Sequence, residues 1–289
     1  MTLNEWKQQG TLRTIAGYSL FSKVSDSDQA PLVLLHGFPT ASWDWHKIWD
    51  ELEEHFRLIT FDFLGFGFSD KPWPHAYQIT EQADLCEALL RQLGIRQYHL
   101  LAHDYGNSVA QELMARQGAE HNGPLLKTVC FLNGGLFPEV HHPRPVQQLL
   151  AGPLGPLMAP FMSKGTLARS FRRIFGPETQ PTNAEIDQFW QLIRENRGKR
   201  CIPALMQYME ERRQQRERWV PPVLEGLIPV RLINGPEDPV SGRHLGEHLL
   251  NMNPAADVVY INGVGHYPQV EAPAEVIRHV RDFHGIPHT

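Results

Sequence analysis

Four short segments hold the side chains best suited to chemistry: His36 to Pro39, Leu101 to Asn107, Asn234 to Pro239 and Gly263 to Pro268. They contain three carboxylates, Asp104, Glu237 and Asp238, together with His266, and a serine, Ser108, lies just beyond the second segment. A carboxylate or hydroxyl attacks carbon, an imidazole takes a proton from water or from that hydroxyl, and a second acid orients the imidazole. Which residue takes which role depends on the elements that carry it.

Apolar runs alternate with helical patterns along the first half of the chain. Residues 31–37, 57–63, 98–103 and 127–133 are predicted as buried strands, with helices near 43–56, 79–94 and 105–117. In the second of these helices Leu85, Leu89, Leu90 and Leu93 share a face and Gly94 marks the end. From Phe137 to about Pro222 strand-like runs vanish and Pro, Gly and Arg become frequent, which reads as a helical insertion. Strands resume at 229–235 and 257–263, and a last helix runs from Ala272 to Phe283. This alternation predicts a mostly parallel sheet covered on both faces, with its site at the carboxyl ends of the strands. Each of the four segments falls at such an end.

Taken in order, HGFP, LAHDYGN, NGPEDP and GVGHYP resemble an α/β-hydrolase: an oxyanion segment, a nucleophile elbow, an acid and a histidine. FDFLGFGFSDKP, residues 61–72, is similar to the family's loop after its fourth strand. The resemblance implies an α/β-hydrolase core over 1–136 and 223–289, with a helical cap over 137–222 inserted between. In the family's small-x-nucleophile-x-small turn, Ala102, His103, Asp104, Tyr105 and Gly106 place an aspartate where esterases have serine. Asn107 is larger than the glycine often found there. A second frame, Gly106 to Ala110 around Ser108, would need the strand to run through Gly106 and Asn107, whereas the apolar run ends near His103. Asp104 is therefore the expected nucleophile and Ser108 a first-turn helix residue. The family spacing of glycine, two residues and an acid selects Asp238 over Glu237, which is expected to be solvated. Some dehalogenases carry the acid after the sixth strand, where this chain has Asn133.

Attack by a carboxylate on an ester would give a reactive anhydride, whereas attack on an sp3 carbon bearing a leaving group gives a stable alkyl ester. That favours epoxides or carbon–halogen bonds in a small apolar substrate. His266, oriented by Asp238, is then the base that activates water against the ester, and the N–H groups of Phe38 and Tyr105 are the expected oxyanion donors. The halide-binding Trp and Asn of dehalogenases are replaced by Tyr105 and Phe38. In CIPALMQYMEERRQQRERW, similar to the epoxide-hydrolase cap helix that carries a ring-opening tyrosine, Leu205, Tyr208 and Met209 share one face, so Tyr208 is the expected proton donor to the alkoxide. Tyr105 is a candidate second hydroxyl, and Tyr208 has packing as its alternative role. Across HDYG, FLNGGLFPE, FGP, QY, RW, GPEDPV and HYPQVE the chain is similar to the mesoderm-specific transcript branch of the superfamily, which implies an epoxide-hydrolase-like enzyme without a cofactor. Haloalkane or haloacid dehalogenase, a Ser108 esterase and a non-catalytic binding protein are the rival readings.

The remaining features bound the answer. With 289 residues, 42% hydrophobic and 20% charged, the composition is that of a globular protein. A net charge of -5 does not favour nucleic acid as a partner. The insertion, with 13 Lys+Arg against 8 Asp+Glu, nonetheless carries about +5. Cys86, Cys130 and Cys201 are widely spaced and suggest neither disulfides nor zinc, and a reducing, cytoplasmic location is expected. The start lacks a signal-peptide pattern, so the mature chain is expected to begin there. No transmembrane segment is expected, and monomer and homodimer both stay open. No metal-ligand spacing occurs; His141 and His142 are expected at the surface. His36 and His103 flank the site as substrate-binding or, preferably, structural groups. Trp43, Trp45, Trp49 and Trp190 are either pocket walls or core, and Arg212, Arg213, Arg216 and Arg218 read as a solvated face balanced by nearby glutamates. The apolar stretch from Leu149 to Met162 reads equally as a tunnel or lipid-facing wall and as a linker packed on the core.

Overall fold

The computed structural model describes residues 1–118 and 121–287. Eight strands form one sheet in the order β1-β2-β4-β3-β5-β6-β7-β8. They are β1 Thr11–Ile15, β2 Tyr18–Val24, β3 Pro31–Leu35, β4 Arg57–Phe61, β5 Gln97–Ala102, β6 Leu125–Phe131, β7 Val230–Asn234 and β8 Asp257–Tyr260. The β1, β2 and β4 pairings are antiparallel; from β4 to β8 every pairing is parallel.

Helices cover the sheet. They are α1 Leu3–Gln9, α2 Trp49–Glu53, α3 Ile79–Gln92 and α4 Tyr105–Arg116, and, after β7, α13 Arg243–Met252, α14 Pro268–Glu271 and α15 Pro273–Phe283. Between β6 and β7 the described chain forms only helices and turns: α5 Pro145–Ala151, α6 Gly155–Met158, α7 Lys164–Phe171, α8 Asn183–Arg194, α9 Ile202–Leu205, α10 Tyr208–Gln214, α11 Arg216–Trp219 and α12 Pro221–Leu224. Leu32, Val33, Leu34 and Leu35 of β3 are all fully buried, as a parallel strand covered on both faces requires. No helix among the described residues is long and apolar enough to cross a membrane.

The strands end one to three residues before the predicted limits. His36, Phe63, His103 and Leu132 just beyond them are as buried as the strands, so apolar burial does not mark where the ladder stops. The helix expected over 43–56 divides into a 3-10 turn, Ser42–Trp45, and α2. The Trp43 carbonyl accepts both the His46 backbone N–H at 3.0 Å and the His46 ring at 2.8 Å, which closes the first turn. The β1–β2 hairpin turns through Ala16 and Gly17, both at positive φ (49° and 88°), a two-residue turn whose twist matches its strands.

Candidate active site

Strand order reverses between β3 and β5, the place where an open α/β sheet opens a crevice at its carboxyl edge. The chain leaves β3 into His36, Gly37 and Phe38, and leaves β5 into His103 and Asp104. Asp104 precedes α4 with φ 46° and ψ -104°, a left-handed backbone that side chains seldom adopt. The surroundings hold it there: the Asp104 N–H donates to the Asn133 carbonyl at 2.9 Å, and the Gly106 N–H to the His36 carbonyl at 3.0 Å. Gly106 passes so close to β3 that a Cβ would strike the Leu35 carbonyl, which accounts for the small residue two places after the aspartate. Ser108 lies in the first turn of α4, its Oγ accepting hydrogen bonds from Arg212 Nε at 3.1 Å and Nη2 at 2.9 Å.

Asp104, His266 and Asp238 meet at this corner. Asp104 Oδ2 accepts the Phe38 backbone N–H at 2.9 Å, and its Oδ1 lies 3.9 Å from His266 Nε2. His266 Nδ1 pairs with Asp238 Oδ2 at 2.6 Å. Burial by itself would lower the imidazole pKa. The Asp238 charge and hydrogen bond, aided by Asp104 and Glu271, outweigh it and raise the value to about 9. Burial likewise pushes the Asp238 carboxyl up, but His266 and the donors of Val240 and Ser241 hold it far below the usual carboxylate range. Tyr105 supplies the first N–H of α4, a donor with no acceptor inside its own helix. Glu237 is exposed.

The supporting roles of Asn133 and Glu271 escaped the sequence reading, whereas structural roles for His36 and His103 are expected from it. Asn133 donates from Nδ2 to Asp238 Oδ2 at 3.1 Å and accepts the Gly235 N–H at 2.7 Å, bracing the acid from the strand that bears an acid in some dehalogenases. Glu271 accepts from Gly176, Thr179, Gly265 and Tyr267, and so fixes the loop on both sides of His266. HYPQVE contains Glu271 and one of its four donors, Tyr267, but nothing in it marks Glu271 as turned inward. His103 Nε2 meets the His266 carbonyl at 2.8 Å. His36 accepts the Phe63 N–H on Nε2 at 3.0 Å and its Nδ1 meets the Gly37 carbonyl at 2.9 Å; burial holds its pKa down near 4. Both histidines are thereby used in holding backbone.

Tyr208 begins α10 and is buried, its ring 5.1 Å from that of Tyr105 and 6.2 Å from that of Phe38. Its hydroxyl has no hydrogen-bond partner among the described residues, and burial followed by the Asp104 charge raises the phenol pKa. The Tyr105 hydroxyl is 3.4 Å from the Tyr77 carbonyl, to which it donates, so Tyr105 does not offer the site a second free hydroxyl. Arg212 departs from the solvated face expected of it. It is 2% exposed, lies 4.9 Å over the Tyr208 ring and fits because Gly135 leaves room where a Cβ would meet its guanidinium. Arg213, Arg216 and Arg218 do face outward, paired with Glu210, Glu139 and Glu112. His141 is not a surface residue either: both ring nitrogens are buried without partners, and burial with the nearby Arg212 charge lowers its pKa to about 3.

A cavity of about 370 Å³ opens above Asp104 and His266. Phe38, Leu150, Leu167, Phe171, Met206 and Val240 are among its apolar walls. Leu150 and Met162 bring the ends of the apolar 149–162 stretch to this cavity, while Leu154 and Phe161 between them are 56% and 77% exposed. Tyr208 is not among the lining residues; its ring lies 6.2 Å from that of Phe38, which is. Trp190 is also outside it, half-buried with Lys199 over its ring at 5.7 Å. Trp43, Trp45 and Trp49 are core. No group of three His, Cys, Asp or Glu side chains that could hold a metal occurs among the described residues.

The fold and this corner place the chain in a known class: it belongs to the alpha/beta hydrolase family, whose sequence profile matches residues 32–279. The mesoderm-specific transcript protein of Mus musculus is 43% identical to it over 282 residues, covering 94% of this chain and 84% of that protein. Among solved structures, the epoxide hydrolase CorEH has a TM-score of 0.76 at 20% identity, over 96% of this chain and 98% of that one. A haloalkane dehalogenase, DbeA from Bradyrhizobium elkani, has 0.78 at 22% identity, over 96% and 97%. At those identities the two structures speak for the fold.

Proposed function

We propose that the protein is a cofactor-independent epoxide hydrolase that works through an ester on Asp104, with residues 137–222 acting as a cap over the cavity. The observation that carries this reading is the division of labour on one carboxylate. Oδ2 is held by the Phe38 N–H at 2.9 Å, while Oδ1 faces His266 without a hydrogen bond and remains the attacking oxygen.

In the first step Oδ1 bonds to an epoxide carbon as the ring C–O bond breaks, and Tyr208, outside the cavity lining yet close enough to Asp104 for that charge to raise its pKa, is the phenol assigned to protonate the freed oxygen. Its partnerless hydroxyl has a donor to offer, and the Arg212 guanidinium over the ring stabilises the tyrosinate left behind. Esterification removes the Asp104 charge, one of the forces that favour the His266 imidazolium. Its pKa falls, so the imidazolium gives its proton up to solvent and a neutral imidazole is present when water must be activated. Hydroxide then attacks the ester carbonyl, whose oxygen is Oδ2, already at the Phe38 N–H, with the Tyr105 N–H as second donor. Collapse expels the diol oxygen, which takes the proton from His266, and the proton left on Asp104 returns to Tyr208.

The dehalogenase reading lacks the Trp and Asn donors that would hold a halide. Ser108, engaged by Arg212, is poorly disposed for an esterase. The three buried, free cysteines suit a reducing, cytoplasmic setting. The test is intact-protein mass spectrometry of His266→Gln with a terminal epoxide and, separately, a bromoalkane. A stable adduct mapped to Asp104 from the epoxide is the expected result. An adduct from the bromoalkane alone would turn the assignment to dehalogenase, and no adduct from either would remove the Asp104 mechanism.

A further inference from the structure

The cavity changes character along its depth. Its buried part, apart from Asp104 and His266, is apolar, with Leu150, Leu167, Phe171 and Met206 as walls. Polar side chains gather where exposure rises: Arg144, Gln147 and Ser170 are half-buried and Arg173 is exposed. Neither Arg144 nor Arg173 has a carboxylate within 4.0 Å among the described residues; of the other cations in the helical segment Lys164, Arg213, Arg216 and Arg218 are paired, while Arg169, Arg172, Arg194, Arg197, Lys199, Arg200 and Arg212 are not, and of all these only Arg144 and Arg173 line the cavity. Two unneutralised guanidinium groups thus line the outer end of a cavity whose inner end holds the carboxylate and imidazole.

We infer that the site takes an anionic amphiphile, with an apolar chain along the buried wall and an anionic oxygen head group, a carboxylate or phosphate ester, between Arg144 and Arg173. A neutral substrate would leave both cations idle. An anion gains hydrogen bonds assisted by charge, for which the planar guanidinium is well shaped. The placement also fixes polarity, because a head group at the rim keeps its charge away from the Asp104 carboxylate and presents the far end of the chain to Oδ1. The reacting group at that far end rests on the epoxide reading; the preference for an anionic head does not.

Binding tests the inference without any reaction. A medium-chain fatty acid, the alkyl phosphate and the alcohol of the same chain length are titrated into the intact protein at low salt, and into Arg144→Gln/Arg173→Gln. We expect the acid or the phosphate to bind at least about tenfold more tightly than the alcohol, ~1.4 kcal/mol, with whichever is tighter naming the head group. That preference should vanish in the double variant and shrink at high salt, while the alcohol binds both proteins alike and so reports an intact cavity. Equal binding of all three, or a preference that survives in the double variant, overturns the inference. Turnover of a fatty acid carrying a terminal epoxide, compared with its methyl ester, separates the two proposals. An anion preference without turnover removes the epoxide chemistry alone, and equal turnover of acid and ester without a preference removes the anionic head alone.

Discussion

Asp104 Oδ1 and His266 Nε2 stand 3.9 Å apart, beyond hydrogen-bond range, although the imidazole is tied to Asp238 at 2.6 Å on its other side. A base bonded to its own nucleophile would suit a serine or cysteine, whose proton must be removed. A carboxylate has no proton to lose, and the gap leaves the imidazole free to approach a water.

Cutting the imidazole's tie to its acid should slow the second half-reaction more than the first. Asp238→Asn is expected to leave formation of the Asp104 ester within about tenfold of the wild type and to slow its hydrolysis by roughly 10³–10⁴. Rapid-quench measurement of ester formed and ester lost checks this, and equal losses in both phases would argue against His266 as the water-activating base.

Removal of the phenol should do the reverse. Tyr208→Phe is expected to slow epoxide opening by about a hundredfold or more, while hydrolysis of the ester, once formed, changes little. With a bromoalkane, which needs no proton, any alkylation of Asp104 should be insensitive to the same change. Single-turnover rates with the two alkylating agents supply the comparison.

The pH dependence follows from the imidazole. On the proposed mechanism, hydrolysis of the ester requires neutral His266, whose pKa is about 9 in the free protein and should fall once Asp104 is esterified. The rate of that step should therefore rise with pH and level off at an apparent pKa below 9. A pH-independent hydrolysis step would count against the imidazole as base.

Stability runs the other way with pH. The folded pKa of His266 lies above its unfolded value of roughly 6.5, so the stabilisation from the Asp238 pair is fully present below pH ~6.5 and is lost as pH rises through about 9. The lowered Asp238 carboxyl acts oppositely, contributing above its unfolded pKa of ~3.9 and losing that contribution only as pH falls through its folded value. Urea unfolding of the wild type and His266→Gln at several pH values should show their stability difference shrinking by about 3 kcal/mol across that alkaline window.

A backbone prediction concerns the elbow. A side chain at Gly106 meets the Leu35 carbonyl, so Gly106→Ala should destabilise the fold by about 1–3 kcal/mol and cost activity in addition, because the Gly106 N–H sets the distance between the two strand exits. Denaturation midpoints and residual turnover together report on it.

Much of this arrangement was legible in the chain. Asp104, Asp238 and His266 each follow a run of strand-forming residues, and the small residues around Asp104 announce a turn that only close packing requires. The hairpin of β1 and β2 was missed although TLRTI and YSLFSKV flank an Ala-Gly turn, because its half-buried strands lack the continuous apolar runs of the parallel ones. The placement of Arg212 and His141 was not legible. An arginine among glutamates on a short helix looks solvated, and its burial depends on the missing side chain of Gly135, far away in sequence. Asn133 and Glu271 escaped for a related reason, since their partners lie on loops that meet only when the sheet is complete.

The reversal of strand order at β3 and β5 bears on how the protein is made. Asp104 emerges from the ribosome in the middle of the chain, the Tyr208 segment much later, and His266 only with the loop after β8. A carboxylate that can be alkylated but not released would be a suicide trap. Asn133 and the walls at Leu150, Leu167, Phe171 and Met206 all precede β7, so on the proposed mechanism the nucleophile and most of its pocket are made before the loop after β8 supplies the His266 that would release an ester.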